Sequence, residues 1–382
     1  MNARHPRLRT SMIAATAVAT LIAGAVTGTR AFADPEQPST TATAPTGQTP
    51  GAVYANQPLP DGQVPSGAAS GDKFSFWTNG ADDALHLSVA TLLTPKGKAP
   101  AGGWPLVVRA QSPNGVAARC SASTGTDRTV DDLLANGTAV LRPEYGAIGA
   151  SGSPQYTDYR VTARNLLDAV QAGRVVAENI SSRWAVAGDG LGSGAAIALA
   201  RRGDGWEPAG LDFRGAVATA VPVGFDQTLA GLSPRSASVP DQVVADVVYA
   251  LATLPTDQVT PILSSTGSSL VTKAGSLCSG DLLRAVRGVS LGELVTKPLP
   301  ASLASSLRKS LDLPTRGFSR PLMLSQTLTD DSAVVTSALR YLTDAQLASN
   351  KVQMRTYLTA DPADGQRQER GAVVDFTDKL LR

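Results

Sequence analysis

Histidine is almost missing from this chain of 382 residues, which holds two, His5 and His86. His5 lies in an N-terminal stretch that reads as a removable leader, so a single imidazole, His86, remains. Cysteine is equally scarce, with Cys120 and Cys278 alone. One histidine and two cysteines do not make a zinc ligand set. Charge of one sign is lacking too. The formal net charge is +2, with acids and bases interspersed, which points away from nucleic acid and from a polybasic membrane patch. Beyond the leader no run approaches the roughly 20 apolar residues of a membrane span, so no transmembrane segment is predicted.

The leader has three parts. Arg4, Arg7 and Arg9 give a basic start, Ser11–Thr27 is an apolar run, and Ala31-Phe32-Ala33 supplies a small-x-small cleavage site. The expectation is a signal peptide over residues 1–33, cleaved after Ala33, and a secreted protein. The competing reading, a membrane anchor, is disfavoured by the short run with its Thr and Gly. No Cys stands at the cut for lipidation, and no twin Arg marks a folded-export route. Residues 34–52, rich in Pro, Thr and Ala, read as a disordered linker, with structure starting near Val53. In an exported chain Cys120 and Cys278 are expected to pair as a disulfide, two free buried thiols being the alternative.

Apolar runs and helical periodicity then alternate. Strands are predicted at 85–93, 105–110, 138–141, 184–187, 215–221, 321–325 and 352–357. Helices are predicted at 130–135, 161–176 and 191–201, and at the C-terminus through Val373, Phe376 and Leu380. Strands alternating with helices imply an α/β fold, a mostly parallel, doubly wound sheet covered on both faces. Between the strands near Val221 and Pro321 the sequence reads mainly as helix. Its stripes are Val244, Val247, Val248 and Leu251, and then Leu282, Leu283 and Val286. The expected organisation is a core of residues 53–221 and 316–382, with a helical cap inserted at 222–315.

The most informative segment is Trp184-Ala-Val-Ala-Gly188-Asp189-Gly190-Leu191-Gly192-Ser193-Gly194. A strand, a glycine-rich sharp turn and an Ala-rich helix form the layout of a nucleophile elbow, G-x-S-x-G, whose glycines permit the strained turn. Gly188 and Gly192 supply the flanks, but Gly190 stands where the serine belongs. Ser193 lies one step too far, in the first turn of the helix, and is expected to pack or to bond the local backbone. A dinucleotide-binding loop is a second alternative, disfavoured because that fingerprint opens its domain.

At this point the chain resembles the secretory lipases of the lipase A type, α/β-hydrolases with a helical cap. The resemblance runs from about Val53 to the C-terminus. It rests on Gly102-Gly103-Trp104-Pro105 before a strand, Gly115 to Cys120, Glu144-Tyr145 with Gly149, Ser182-Arg183-Trp184 entering the elbow strand, and Leu211-Asp212 to Val217. It implies an α/β-hydrolase fold and places the family's serine on Gly190, its acid on Asp330 and its histidine on Pro362. The His-Gly pair of the oxyanion region falls on Gln111-Ser112, with Leu191 following the nucleophile position.

The triad order of this fold is serine, acid, histidine, and His86 precedes them all, mid-strand. Loss of the serine or the histidine from such a unit costs on the order of 10⁶ in turnover. The expectation is therefore a catalytically silent protein without a cofactor, binding a lipophilic small molecule or a protein partner. The alternatives are an esterase using Ser193 or Ser112 with Asp330, and a surface protein that pairs with an active relative. Asp330 and Asp331 with Asp189 are a candidate hard-cation site, more simply read as solvated acids.

Overall fold

Near-continuous apolar runs such as Pro105–Ala110 are what a strand buried on both faces requires, and such runs build the centre of the sheet. The computed structural model describes residues 48–112, 114–115, 120, 127–145, 156–328 and 335–382. Residues 1–47, which hold the expected leader and most of the expected linker, and Asp330 and Asp331 lie outside the described residues. Nine strands form one sheet: β1 (Val53–Pro58), β2 (Ala68–Asn79), β3 (Leu85–Pro95), β4 (Trp104–Ala110), β5 (Ala139–Pro143), β6 (Ile180–Asp189), β7 (Asp212–Thr219), β8 (Leu322–Thr327) and β9 (Val352–Tyr357). Their order is β1-β2-β3-β5-β4-β6-β7-β8-β9. The pairs from β1 through β3 to β5 are antiparallel, and those from β5 through β4 to β9 are parallel.

Side chains alternate across this sheet. Leu106, Val108, Trp184 and Val186 face one core. It includes α2 (Tyr159–Val176) and α3 (Leu191–Trp206). Val107, Ala185, Ala187 and Val217 face the other, under α1 (Arg128–Ala135) and α11 (Pro362–Leu381). Six helices lie between β7 and β8: α4 (Phe225–Ala230), α5 (Asp241–Thr253), α6 (Thr256–Val259), α7 (Ser265–Ala274), α8 (Ser279–Ala285) and α9 (Ala301–Ser310). The last helix before the C-terminal strand is α10 (Val335–Ala348).

From β4 the chain moves to β5 on one side and then returns past β4 to β6 on the other. Loops leaving β4 and β6 therefore diverge, and such a topological switch point is where open α/β sheets carry their crevice. The loop after β4 is bonded to the helical segment by the disulfide Cys120–Cys278. Beside it, Ser279 N–H donates to the Asn114 carbonyl at 2.9 Å and Ser279 Oγ donates to Asn114 Oδ1 at 2.7 Å. Among the described residues no helix is long and apolar enough to cross a membrane.

Candidate functional site

At the end of β6, Gly190 has φ 52° and ψ −124°, a conformation that costs an L side chain energy and suits glycine. The turn then closes tightly. A Cβ on Gly192 would lie 2.0 Å from the Ala110 carbonyl oxygen, and one on Gly188 would lie 2.7 Å from the Gly192 oxygen. Both contacts are with backbone, which cannot swing away. These two glycines therefore let α3 start against the ends of β4 and β6. A strand, a sharp turn and a helix thus follow one another here, with no side chain at the turn's apex, Gly190.

Ser112 occupies the space over that apex. A Cβ on Gly190 would lie 2.0 Å from Ser112 Oγ. The Leu191 N–H donates to Ser112 Oγ at 3.1 Å, and Ser112 Oγ donates to the Asp189 carbonyl at 3.1 Å. The N–H of the residue after the nucleophile position is the fold's oxyanion donor. In this chain the Leu191 N–H is bonded to a hydroxyl of the protein itself. Gln111, Ser112, Gly190 and Leu191 are thus brought together. Ser193 is fully buried and donates to the Thr219 carbonyl at 2.5 Å. His86 lies on β3, two strands beyond β4 in the sheet order, with Nε2 at 2.8 Å from Asp82 Oδ1. Pro362 is the first residue of α11, behind its N-cap Asp361.

The elbow opens into a cleft of about 1190 Å³ between the C-terminal ends of the strands, α11 and the helical segment. Its floor is ionic. Arg109 points from β4 towards α1, where Nε donates to Asp127 Oδ2 at 2.8 Å and Nη1 to the Ala187 carbonyl at 3.3 Å, with Nη2 3.9 Å from Asp189 Oδ2. Asp127 also caps α1 through the Thr129 N–H at 2.8 Å. Burial by itself would raise the Asp127 carboxyl, but the Arg109 guanidinium overrides it and holds the group below the usual carboxylate range. Beside it Arg142, at the end of β5, donates to Gln111 Oε1 at 3.2 Å.

The helical segment contributes Asp246 on α5, which accepts from Gln242 Nε2 at 3.0 Å. Burial, and then the negative charge of Asp189, push its carboxyl up to about 7. Among the described residues no group of three or more metal-ligating side chains is assembled.

The predicted apolar stripes face elsewhere. Val244, Val247, Val248, Leu251, Leu282 and Val286 are buried in the core, and of the seven stripe residues only Leu283 lines the cleft. Arg109, Asp127, Arg142 and Asp246 were missed by the sequence reading. Arg109 and Arg142 carried a signal nonetheless, since an arginine near the C-terminal end of an otherwise apolar buried strand must find polar company at the sheet's edge.

No family model matches the chain, and no curated protein sequence matches it. Solved structures do. Candida antarctica lipase A in its closed state shares 15% identity over 84% of this chain and 79% of that chain, with a TM-score of 0.65. The rice cell wall degrading esterase LipA from Xanthomonas oryzae shares 17% over 87% of this chain and 99% of that one, with a TM-score of 0.64. At such identities the likeness establishes architecture alone: the chain has the α/β-hydrolase fold of a lipase and an esterase.

Proposed function

We propose that this chain is a catalytically silent protein on a lipase-like α/β-hydrolase fold, exported after removal of residues 1–33, that acts by binding. In this reading residues 53–221 and 316–382 are the core, and 222–315 are a cap over the cleft. Gly190, Asp330 and Pro362 are the degenerate positions of the triad. One observation carries the reading: the hydroxyl over the elbow belongs to Ser112 and is held on the oxyanion donor Leu191 N–H. A carbonyl entering the site would have to displace it. The Cys120–Cys278 bridge is compatible with an extracellular location.

A lipophilic occupant finds little support among the described lining residues, where Leu283 and Val373 are the only large aliphatic side chains among charged and polar ones. A hydrolytic reading has one specific observation in its favour, the exposure of Ser112 to the cleft. Against it, the Ser112 hydroxyl is directed at the Asp189 carbonyl, an acceptor too weak to serve as a general base, and His86 is bonded to Asp82 instead. The test is turnover of short p-nitrophenyl esters by the purified chain. The expected rate is that of buffer. Hydrolysis abolished by Ser112→Ala would replace this reading with the hydrolytic one.

A further inference from the structure

We propose that a single buried water molecule binds between the Gly192 N–H, at the start of α3, and the Tyr145 hydroxyl, just past β5. This goes beyond the binding reading above and holds whether or not the chain is catalytically silent. The site is a cavity of about 10 Å³ lined by Gln111, Tyr145, Tyr156, Thr162, Leu191 and Gly192. One water needs roughly 10–15 Å³ of such space and two to four polar partners. The cavity therefore suits one water and nothing larger.

The first N–H groups of an α-helix have no acceptor within the helix, and a buried one must find a partner elsewhere. At α3 nearly all are accounted for. The Gly190 N–H donates to the Thr219 carbonyl at 3.1 Å, the Leu191 N–H to Ser112 Oγ at 3.1 Å, and the Ser193 N–H to the Gly190 carbonyl at 3.0 Å. Gly192 is buried between them, and its N–H meets no acceptor among the described residues.

Tyr145 supplies the second, independent sign. It is 3% exposed, and its Oη is buried with no hydrogen-bond partner among the described residues. Its backbone is held at φ 51°, in the left-handed region that a bulky residue seldom adopts. Its ring stands edge-on to Tyr156, with centroids 5.8 Å apart. A buried hydroxyl left unbonded carries its full desolvation cost. A backbone donor from α3 and a hydroxyl from the end of β5 thus border one cavity of water size. A water there accepts from the Gly192 N–H and shares a hydrogen bond with Tyr145 Oη. Gln111 offers a third partner, because its Oε1 takes Arg142 and leaves Nε2 to donate. The start of α3 is then fixed twice, through Leu191 by Ser112 and through Gly192 by the water.

A high-resolution crystal structure of the full chain tests this, with Tyr145→Phe as the variant that removes only the hydroxyl. The expected result is a water peak within about 2.7–3.2 Å of both Gly192 N and Tyr145 Oη, lost in the variant. In solution, NMR should show a cross-peak from a long-lived water to the Gly192 amide proton, again lost in the variant. A cavity without water in the parent chain, or a water that stays in place once the hydroxyl is gone, would overturn it. The parent chain alone decides the first point, so a variant that failed to fold would leave the test intact.

Discussion

At the scale of single residues the turn after β6 is a backbone feature with no side chain at its apex. Gly190 keeps a left-handed φ of 52°, and the neighbouring glycines keep the packing that a G-x-S-x-G turn demands. The space that a side chain on Gly190 would need is taken by Ser112. This makes Gly190→Ser a strained substitution for two separable reasons. A side chain at positive φ costs roughly 1–2 kcal/mol, and its Cβ would meet Ser112 Oγ at 2.0 Å. Ser112→Gly removes the second reason only. In a double-mutant cycle read by urea unfolding, the two changes together should destabilise less than their sum, with a coupling of about 1 kcal/mol or more. Strict additivity would mean that Ser112 does not occupy the space a side chain on Gly190 would need.

At the scale of elements, the site is a meeting of strand ends with a helix from the segment between β7 and β8. Asp246 on α5 faces Asp189 at the end of β6, and burial first, then that like charge, raises its carboxyl to about 7. The unfolded chain ionises this group near 3.8. Its contribution to stability is therefore complete below that value and is lost as pH rises through about 7. Asp246→Asn should leave stability at pH 4 nearly unchanged. At pH 8 it should raise it by roughly 2–4 kcal/mol, measured by denaturant unfolding at both pH values.

Elements were also where the sequence was most readable. The strands at 105–110, 184–187, 321–325 and 352–357 announce themselves as apolar runs, because both faces of a central parallel strand are buried. By contrast β2 was missed, since Ser70, Gly71, Asp72 and Lys73 interrupt its pattern near an antiparallel flank where one side tolerates polar groups. The stripes on α5 and α8 were found, but periodicity alone does not distinguish a side chain that packs from one that lines a cavity. The coordinates put all but Leu283 into the core.

At the scale of the whole molecule, the cleft's chemistry was the least legible part, because it is assembled from distant positions. Arg109 and Asp127 meet from positions 18 residues apart, and Asp246 and Arg287 arrive from a different part of the chain. Only the fold brings them to one edge of the sheet. The disulfide acts at this scale too. It closes a sequence separation of 158 residues, so in the chain-entropy description it restricts the unfolded state by about 5 kcal/mol. Cys120→Ser/Cys278→Ser should lower the urea midpoint correspondingly. Because the bridge ties the loop after β4 to α8, the same variant should increase amide exchange at Ser279–Ala285 more than in β6. Equal changes in both places would count against a local tether.

The central claim of the proposed function is that no serine among the described residues is an activated nucleophile, since Gly190 stands at the apex of the turn and the Ser112 hydroxyl above it is bonded away. Incubation of the purified chain with a fluorophosphonate serine probe, followed by intact-mass and peptide mapping, addresses this most directly. The account predicts no covalent adduct beyond that of the heat-unfolded chain. A stoichiometric adduct on the folded protein, at Ser112 above all, would contradict it.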